Sequence, residues 1–209
     1  MGLMASQFLV VEGLEGAGKS TALTVIQDYL IKKNLPVMTT REPGGTRLAE
    51  EIRHLLLKHD DSEAITPAAE LLLMYAARAQ HIELKIKPAL ARGQWVLCDR
   101  FALSSFAYQG GGRNLPMKLL HGVHDAVVQG FKPHLTFYLD IDPVVGLERA
   151  RQRGALDRIE QEKIDFFMRA RKVYLEYAHN DPHIILVDGE QSMDDVASVI
   201  RQQLELIFL

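Results

Sequence analysis

The sequence predicts an α/β protein, a parallel sheet of five strands with helices on both faces, and three observations predict it. Short apolar runs rich in β-branched residues recur at Gln7–Glu12, Val37–Thr40, Trp95–Cys98, Leu135–Leu139 and Ile184–Val187. The segments between them carry apolar residues at spacings of three and four, the period of an amphipathic helix. A glycine-rich stretch, Gly13-Leu14-Glu15-Gly16-Ala17-Gly18-Lys19-Ser20-Thr21, stands between the first run and the first helix. Strands that alternate with helices pair in parallel and are buried on both faces, which explains why the runs are continuously apolar.

Each element has its own signal. After the glycine stretch, Ala22, Leu23, Val25, Ile26, Tyr29 and Leu30 recur at helical spacing. Asn34-Leu35-Pro36 breaks that helix before the second strand. The loop Arg41-Glu42-Pro43-Gly44-Gly45-Thr46 follows, then a helix from about Arg47 to Lys58, and a polar connection from His59 to Glu63. Thr66-Pro67 opens a long helix to about Arg92, with Pro88 as a kink or stop. The third strand ends at Asp99-Arg100; a helical stretch runs to Gln109, and Gly110-Gly111-Gly112-Arg113-Asn114 reads as a loop. Further helices are expected from about Pro116 to Gln129, from Pro143 into Arg149-Ala150-Arg151-Gln152-Arg153-Gly154, from about Glu160 to His179, and from Met193 to Phe208.

Composition narrows the class. A chain of 209 residues, 47% hydrophobic and 24% charged, suits one soluble domain spanning 1–209. A formal net charge of −3 argues against a general nucleic-acid binder, so any anion site is a local cluster of arginines. The single cysteine, Cys98, permits no internal disulfide and points to a reducing, cytoplasmic setting. Within a strand it reads as an inert packed thiol. No apolar stretch is long enough to span a bilayer. Met1 to Ser6 satisfies the M-G-x-x-x-S myristoylation pattern, but without a polybasic patch it reads more simply as an alternative start or an appended remnant.

The glycine stretch fits G-x-x-x-x-G-K-S, a P-loop. Glycines turn backbone N–H groups inward and let a phosphate approach without a Cβ in the way. Lys19 supplies an ammonium, Ser20 a hydroxyl for Mg²⁺, and the next helix its positive end. Ligands of parallel sheets gather outside the strands' carboxyl ends. The P-loop, Arg41-Glu42, Asp99-Arg100 and Asp140 all fall at such ends and are expected to converge on one crevice. Asp99 closes an apolar strand, as a carboxylate aimed at Mg²⁺ does.

Phosphoryl transfer between two anions needs positive charge. Arg41 and Arg53, Arg78 and Arg100, and Arg149, Arg151 and Arg153 are the candidate sets. Glu15 is out of place beside phosphates unless it meets something else, such as a substrate hydroxyl. Ser105, Tyr108 and Gln109 share one helix face and suit a flat, hydrogen-bonding ligand such as a nucleobase. His121 and His124 lack any further ligand pattern and read as solvated or partly buried imidazoles. Leu71 to Tyr75 reads as core.

These residues together resemble the bacterial thymidylate kinases. The resemblance rests on Glu12 to Thr21, Thr40-Arg41-Glu42-Pro43-Gly44-Gly45-Thr46, Asp99-Arg100-Phe101, Ala107-Tyr108-Gln109-Gly110, Arg151-Gln152-Arg153-Gly154 and Asp157-Arg158-Ile159-Glu160. It implies a P-loop kinase fold with a short lid at about 149–160, transfer of the ATP γ-phosphoryl to dTMP with Mg²⁺, and a homodimer. By the same resemblance, Gly13 to Thr21 bind ATP with Arg149 near the adenine, and Ser20 and Asp99 serve the metal. Lys19, Asp99, Arg100, Arg151 and Arg153 form the catalytic set. Arg53, Arg100, Glu42 and Pro43 hold the dTMP phosphate, Arg78, Gln109 and Ser105 the thymine, Tyr108 crowds the sugar C2′, and Glu15 meets the 3′-hydroxyl. Some family members carry a catalytic arginine within the P-loop. Here Ala17 takes its place, so the lid is expected to provide it, Arg153 first and Arg151 second. Met74 stands where the family usually stacks a phenylalanine on thymine, and Phe101 where a tyrosine or histidine is common.

Two alternatives stay open on the residues alone. One is a nucleoside-monophosphate kinase with another base preference. The other is a nucleotide-dependent switch, although no Asn-Lys-x-Asp guanine-reading motif is present.

Overall fold

The computed structural model describes residues 6–58, 62–154 and 156–208. Five strands, β1 (Phe8–Gly13), β2 (Val37–Arg41), β3 (Trp95–Asp99), β4 (Leu135–Asp140) and β5 (Ile184–Asp188), pair in the order β2-β3-β1-β4-β5. Every pairing is parallel, as the alternation of strands and helices predicts. The helices are α1 (Lys19–Lys32), α2 (Arg47–Leu57), α3 (Pro67–His81), α4 (Lys87–Ala91), α5 (Ala102–Ser105), α6 (Met117–Val128), α7 (Pro143–Arg153), α8 (Ile164–Asn180) and α9 (Met193–Leu206). The Met-Gly pattern at residues 1–5 and part of the connection after α2, residues 59–61, lie outside the described residues.

Strand side chains alternate between the two faces. On one, Tyr138 of β4 stacks on Tyr174 of α8 with centroids 4.8 Å apart, and Phe8 of β1 meets Phe101 edge-on at 5.0 Å. On the other, Trp95 of β3 stacks on Phe208, which follows α9, at 5.7 Å, and Tyr29 of α1 joins them. Phe8, Leu9, Val10, Val11, Val96, Leu97 and Phe137 are essentially without exposure between these layers. Each such side chain contributes about 1.5–3 kcal/mol relative to exposure. α2 packs apart from this core, through Ala49, Ile52 and Leu56 against Ala77 of α3.

Three expectations need correction. The long helix is not α-helical throughout: residues 82–86 widen into a π-helical turn just ahead of Pro88, and the helix ends at Ala91. A proline has no N–H to give the carbonyl four residues back, and a wider turn absorbs that loss. Gly110 to Gly112 are not a loop but the end of a second π-helical stretch, Phe106–Gly112, that continues α5. These glycines serve close approach. A Cβ on Gly111 would lie 2.7 Å from the Arg169 carbonyl of α8, and one on Gly112 would lie 2.4 Å from the Phe166 ring. The eighth helix begins at Ile164 rather than Glu160, because Asp157 folds the preceding residues into a turn. Its Oδ1 accepts from the amides of Ile159 at 2.8 Å and Glu160 at 2.9 Å.

Candidate active site

The carboxyl ends of β1, β2 and β3 open onto a cleft. Glu15, Glu42, Pro43, Arg53, Met74, Arg78, Arg100, Ser105, Tyr108 and Gln109 all line it, so every residue expected on the acceptor side is brought together.

The P-loop forms one wall. Gly13, Gly16 and Gly18 have φ of +148°, +73° and +91°, conformations that residues with a Cβ rarely adopt. The Gly16 requirement is also one of space. A Cβ there would lie 2.1 Å from the Gly146 carbonyl, and a Cβ on Gly146 would lie 2.5 Å from the Glu15 carbonyl, so loop and α7 meet backbone to backbone. α1 starts behind Gly18 without a side-chain cap, which leaves its first N–H groups for an anion. Ser20 and Thr21 are exposed there, while Ala17 is buried. Lys19 donates from Nζ to the carbonyls of Gly13 at 3.1 Å and Leu14 at 2.8 Å. Burial, with the positive charge of Arg100, pulls its pKa down to about 8.

The facing wall of the cleft is held by buried charge pairs. Arg78 is 2% exposed. Its Nε donates to Glu42 at 2.7 Å, Nη1 to Ser105 Oγ at 2.9 Å and Nη2 to the Phe101 carbonyl at 3.0 Å. Glu42, whose peptide to Pro43 is cis, also meets His81 Nδ1 at 3.0 Å. Arg53 donates to the Pro43 carbonyl at 3.0 Å; burial and the neighbouring Arg41 push its pKa below the usual value. Cations crowded together in this way favour an anion between them.

Arg100 has the left-handed φ of +66°, uncommon outside glycine. Glu12, without exposure, holds it so. Its carboxylate accepts from the amides of Phe101 at 2.8 Å and Ser104 at 3.2 Å, and from the hydroxyls of Ser104 at 2.7 Å and Tyr174 at 2.8 Å. Burial raises the Glu12 pKa despite these partners. With its backbone so fixed, Arg100 donates from Nη2 to Glu15 at 2.8 Å and lies over the Tyr108 ring at 5.0 Å. The Tyr108 hydroxyl donates to the same carboxylate at 2.8 Å. That resolves the oddity of Glu15: beside the phosphate loop it is neutralised by Arg100. Asp99 Oδ1 is buried and without a hydrogen-bond partner among the described residues.

Other expected residues fall elsewhere. Asp140 does not join the cleft. Arg171 of α8 pairs with both its oxygens, at 2.8 and 2.7 Å, and the Tyr138 hydroxyl donates to it at 2.7 Å. Burial would raise its pKa, but these partners hold it below the usual range. Arg41 pairs with Glu50 at 3.0 Å on the surface. Arg149 donates to the carbonyls of Gly189 at 3.1 Å and Gly16 at 3.5 Å, tying the P-loop to the turn after β5. Arg151 is exposed, and the side chain of Arg153 lies outside the described residues. Cys98 is fully buried, its thiol pushed well up by burial. His121 and His124 pack against Phe106. Leu72, expected in the core, is 58% exposed.

Sequence reasoning missed the groups that act from behind. Glu12 was legible as a lone carboxylate closing an apolar strand. Glu70 and Tyr174 carried no local signal, and Arg158, though part of a family motif, carried none for its pairing with Glu70; their partners lie far away along the chain.

A P-loop at the centre of a parallel sheet, with a charged cleft against it, defines the class of P-loop kinases. Within that class the chain belongs to the thymidylate kinase family, whose sequence model, described as Thymidylate kinase, matches residues 11–200. It is 55% identical over 208 residues to the thymidylate kinase of Shewanella frigidimarina (strain NCIMB 400), across 98% of this chain and 95% of that one. To the thymidylate kinase of Vibrio parahaemolyticus it is 51% identical over 203 residues, 97% of each chain. That of Photobacterium profundum is likewise 51% identical, over 96% of this chain and 97% of its own.

Proposed function

We propose that this chain transfers the γ-phosphoryl group of ATP to dTMP, giving dTDP and ADP on the way to dTTP. An oxygen of the dTMP phosphate attacks the γ-phosphorus. The bond from that phosphorus to the β–γ bridging oxygen breaks, and its electron pair leaves with ADP. Two anions have to meet, so catalysis is mostly positioning and charge neutralisation. Glu15 is the observation that carries this reading. It belongs to the P-loop and to the cleft wall at once, and its pairing with Arg100 makes donor loop and acceptor cleft share one side.

In this reading the amides of Gly13 to Thr21 and the Lys19 ammonium hold the ATP phosphates, and Arg149 braces the loop beneath the adenine side. Arg53 and Arg100 grip the dTMP phosphate with the Glu42-Pro43 backbone. Arg78 and Gln109 meet the thymine, and Ser105 acts through Arg78. Met74, in the cleft wall, covers the ring with a soft thioether. Tyr108 crowds C2′ and Glu15 meets the 3′-hydroxyl. The buried, unpartnered Oδ1 of Asp99 and the hydroxyl of exposed Ser20 are hard oxygen donors suited to Mg²⁺, which binds largely through water and substrate phosphates. When bound, the ion neutralises charge on the β- and γ-phosphates. Arg153, with Arg151 second, brings the remaining positive charge from a lid at about 149–160, since Ala17 offers none.

The chain acts as a cytoplasmic homodimer in this proposal. No helix of the described residues is long and apolar enough to cross a membrane. An apolar face runs across α3 and α6, where Leu72 and Leu119 are 58% and 44% exposed and Gly122 and Ala126 leave room for close approach. Leu119→Glu is expected to yield monomers in sedimentation.

Phosphoryl transfer from ATP to dTMP, dUMP, AMP and GMP tests the activity. A clear preference for dTMP is expected; a preference for AMP or GMP rejects the reading.

A further inference from the structure

Behind the cleft lies a carboxylate that the proposed chemistry does not use. Glu70 of α3 has no exposure, yet three cationic or amide donors converge on it. Gln109 Nε2 donates to Oε1 at 2.8 Å. Arg113 donates to Oε1 at 3.2 Å and to Oε2 at 3.0 Å, and Arg158, next to the capping Asp157, donates to Oε2 at 2.6 Å. Burial alone would raise the Glu70 pKa, but Arg113, Gln109 and Arg158 together hold the group below the usual range, as a carboxylate. A carboxylate only accepts hydrogen bonds. Gln109 is itself 1% exposed, so its amide has one orientation open to it: NH₂ toward Glu70, C=O toward the cleft. The flipped amide would set oxygen against oxygen in a buried site, at the cost of an unsatisfied charged group.

Arg78 completes the pair. Three of its five N–H groups are committed to Glu42, Ser105 and the Phe101 carbonyl, and it has no acceptor to offer. A flat ring entering the cleft therefore meets a donor from Arg78 and an acceptor from Gln109, neither able to reverse. We infer that Glu70 is a positioning residue for base selection: by locking the Gln109 amide, it makes the cleft accept a pyrimidine edge with a carbonyl beside a ring N–H and reject one with an amino group beside a bare ring nitrogen. The first edge is that of thymine and uracil, the second that of cytosine. This rests on the reading of the cleft as the dTMP site. Arg158 adds a consequence: the segment proposed as the lid is anchored to the same carboxylate that sets the base reader.

The test is the ratio of kcat/KM for dTMP to that for dCMP, which a merely structural defect would leave unchanged by lowering both values together. In Glu70→Gln the residue gains a donor and Gln109 is free to turn. The ratio is expected to fall about 10- to 100-fold, a partial loss of the roughly 10⁴- to 10⁵-fold discrimination that sites built to read hydrogen-bonding groups can reach. An unchanged ratio in folded Glu70→Gln protein overturns the inference. Should that variant not fold, Glu70→Asp decides, because it keeps a carboxylate charge for Arg113 and Arg158 while its shorter side chain withdraws from the Gln109 amide. Loss of the ratio there supports the inference, and its retention overturns it. Failure of the underlying reading is distinguishable: the unaltered protein would then show no preference for dTMP over dCMP.

Discussion

The two sides of the site are built on opposite plans. On the acceptor side nearly every charge already has a partner: Arg78 with Glu42, Arg100 with Glu15, and Glu70 with Arg113 and Arg158. On the donor side, groups are left with capacity to spare. Asp99 keeps an unpartnered oxygen, Ser20 and Arg151 face solvent, and α1 begins uncapped. Pairing in a low-dielectric pocket fixes geometry before the acceptor arrives, which suits discrimination among similar bases. Uncommitted donors suit a ligand that brings its own large charge and a metal.

Disturbing the acceptor side should cost most. Arg100→Ala removes a charge held on the site by Glu12 and leaves Glu15 without its cation. We expect kcat/KM for dTMP to fall about 10²- to 10⁴-fold, with loss in both KM and kcat, by scaling from a buried pair that has lost one partner. Steady-state kinetics across dTMP concentration checks this, and a loss confined to kcat would break the contrast between the two sides.

The lid comes next. Arg153→Ala is expected to lower kcat about 10²- to 10³-fold, at and below the lower end of arginine-finger effects, with the dTMP KM little changed. Arg151→Ala should do less. If Arg153→Ala leaves kcat intact, the missing charge comes from another residue.

The smallest effect is on pH. Lys19 has a pKa of about 8 in the free protein, lowered by burial. Bound phosphates favour its charged form, so binding raises that pKa. Below about pH 8 the lysine is already charged and ATP affinity is flat with respect to it. Above 8 the free protein has lost the proton that the complex retains, and affinity falls with rising pH, by at most about tenfold per unit. Calorimetry in two buffers of different ionisation enthalpy should detect proton uptake near pH 9 and little near pH 7.

How much was legible follows from distance along the chain. The P-loop, the five strands and the helix starts at Thr46, Thr66, Asp142 and Ser192 rest on contacts within a few residues, and a linear reading finds them. Glu15, Glu42, Pro43, Arg100, Tyr108 and Gln109 were legible through the strand-end rule and the family motifs, whereas Arg53, Met74, Arg78 and Ser105 were expected there only through the wider resemblance. Asp140 obeyed the same rule and was misplaced, because Arg171, decisive for it, sits 31 residues away on α8. Gly110 to Gly112 were misread for the same reason. A glycine run signals either a turn or a close crossing, and α8 decides between them.

By itself, then, the sequence determined the phosphate loop, the parallel sheet and the list of charges on the cleft, since spacing and residue type dictate local backbone. What the tertiary structure decided is which charges meet. Glu12 reaches Tyr174 across 162 residues, and Glu70 reaches Arg158 across 88. Buried charges have to find partners wherever the fold brings them, and that pairing depends on packing no local pattern encodes.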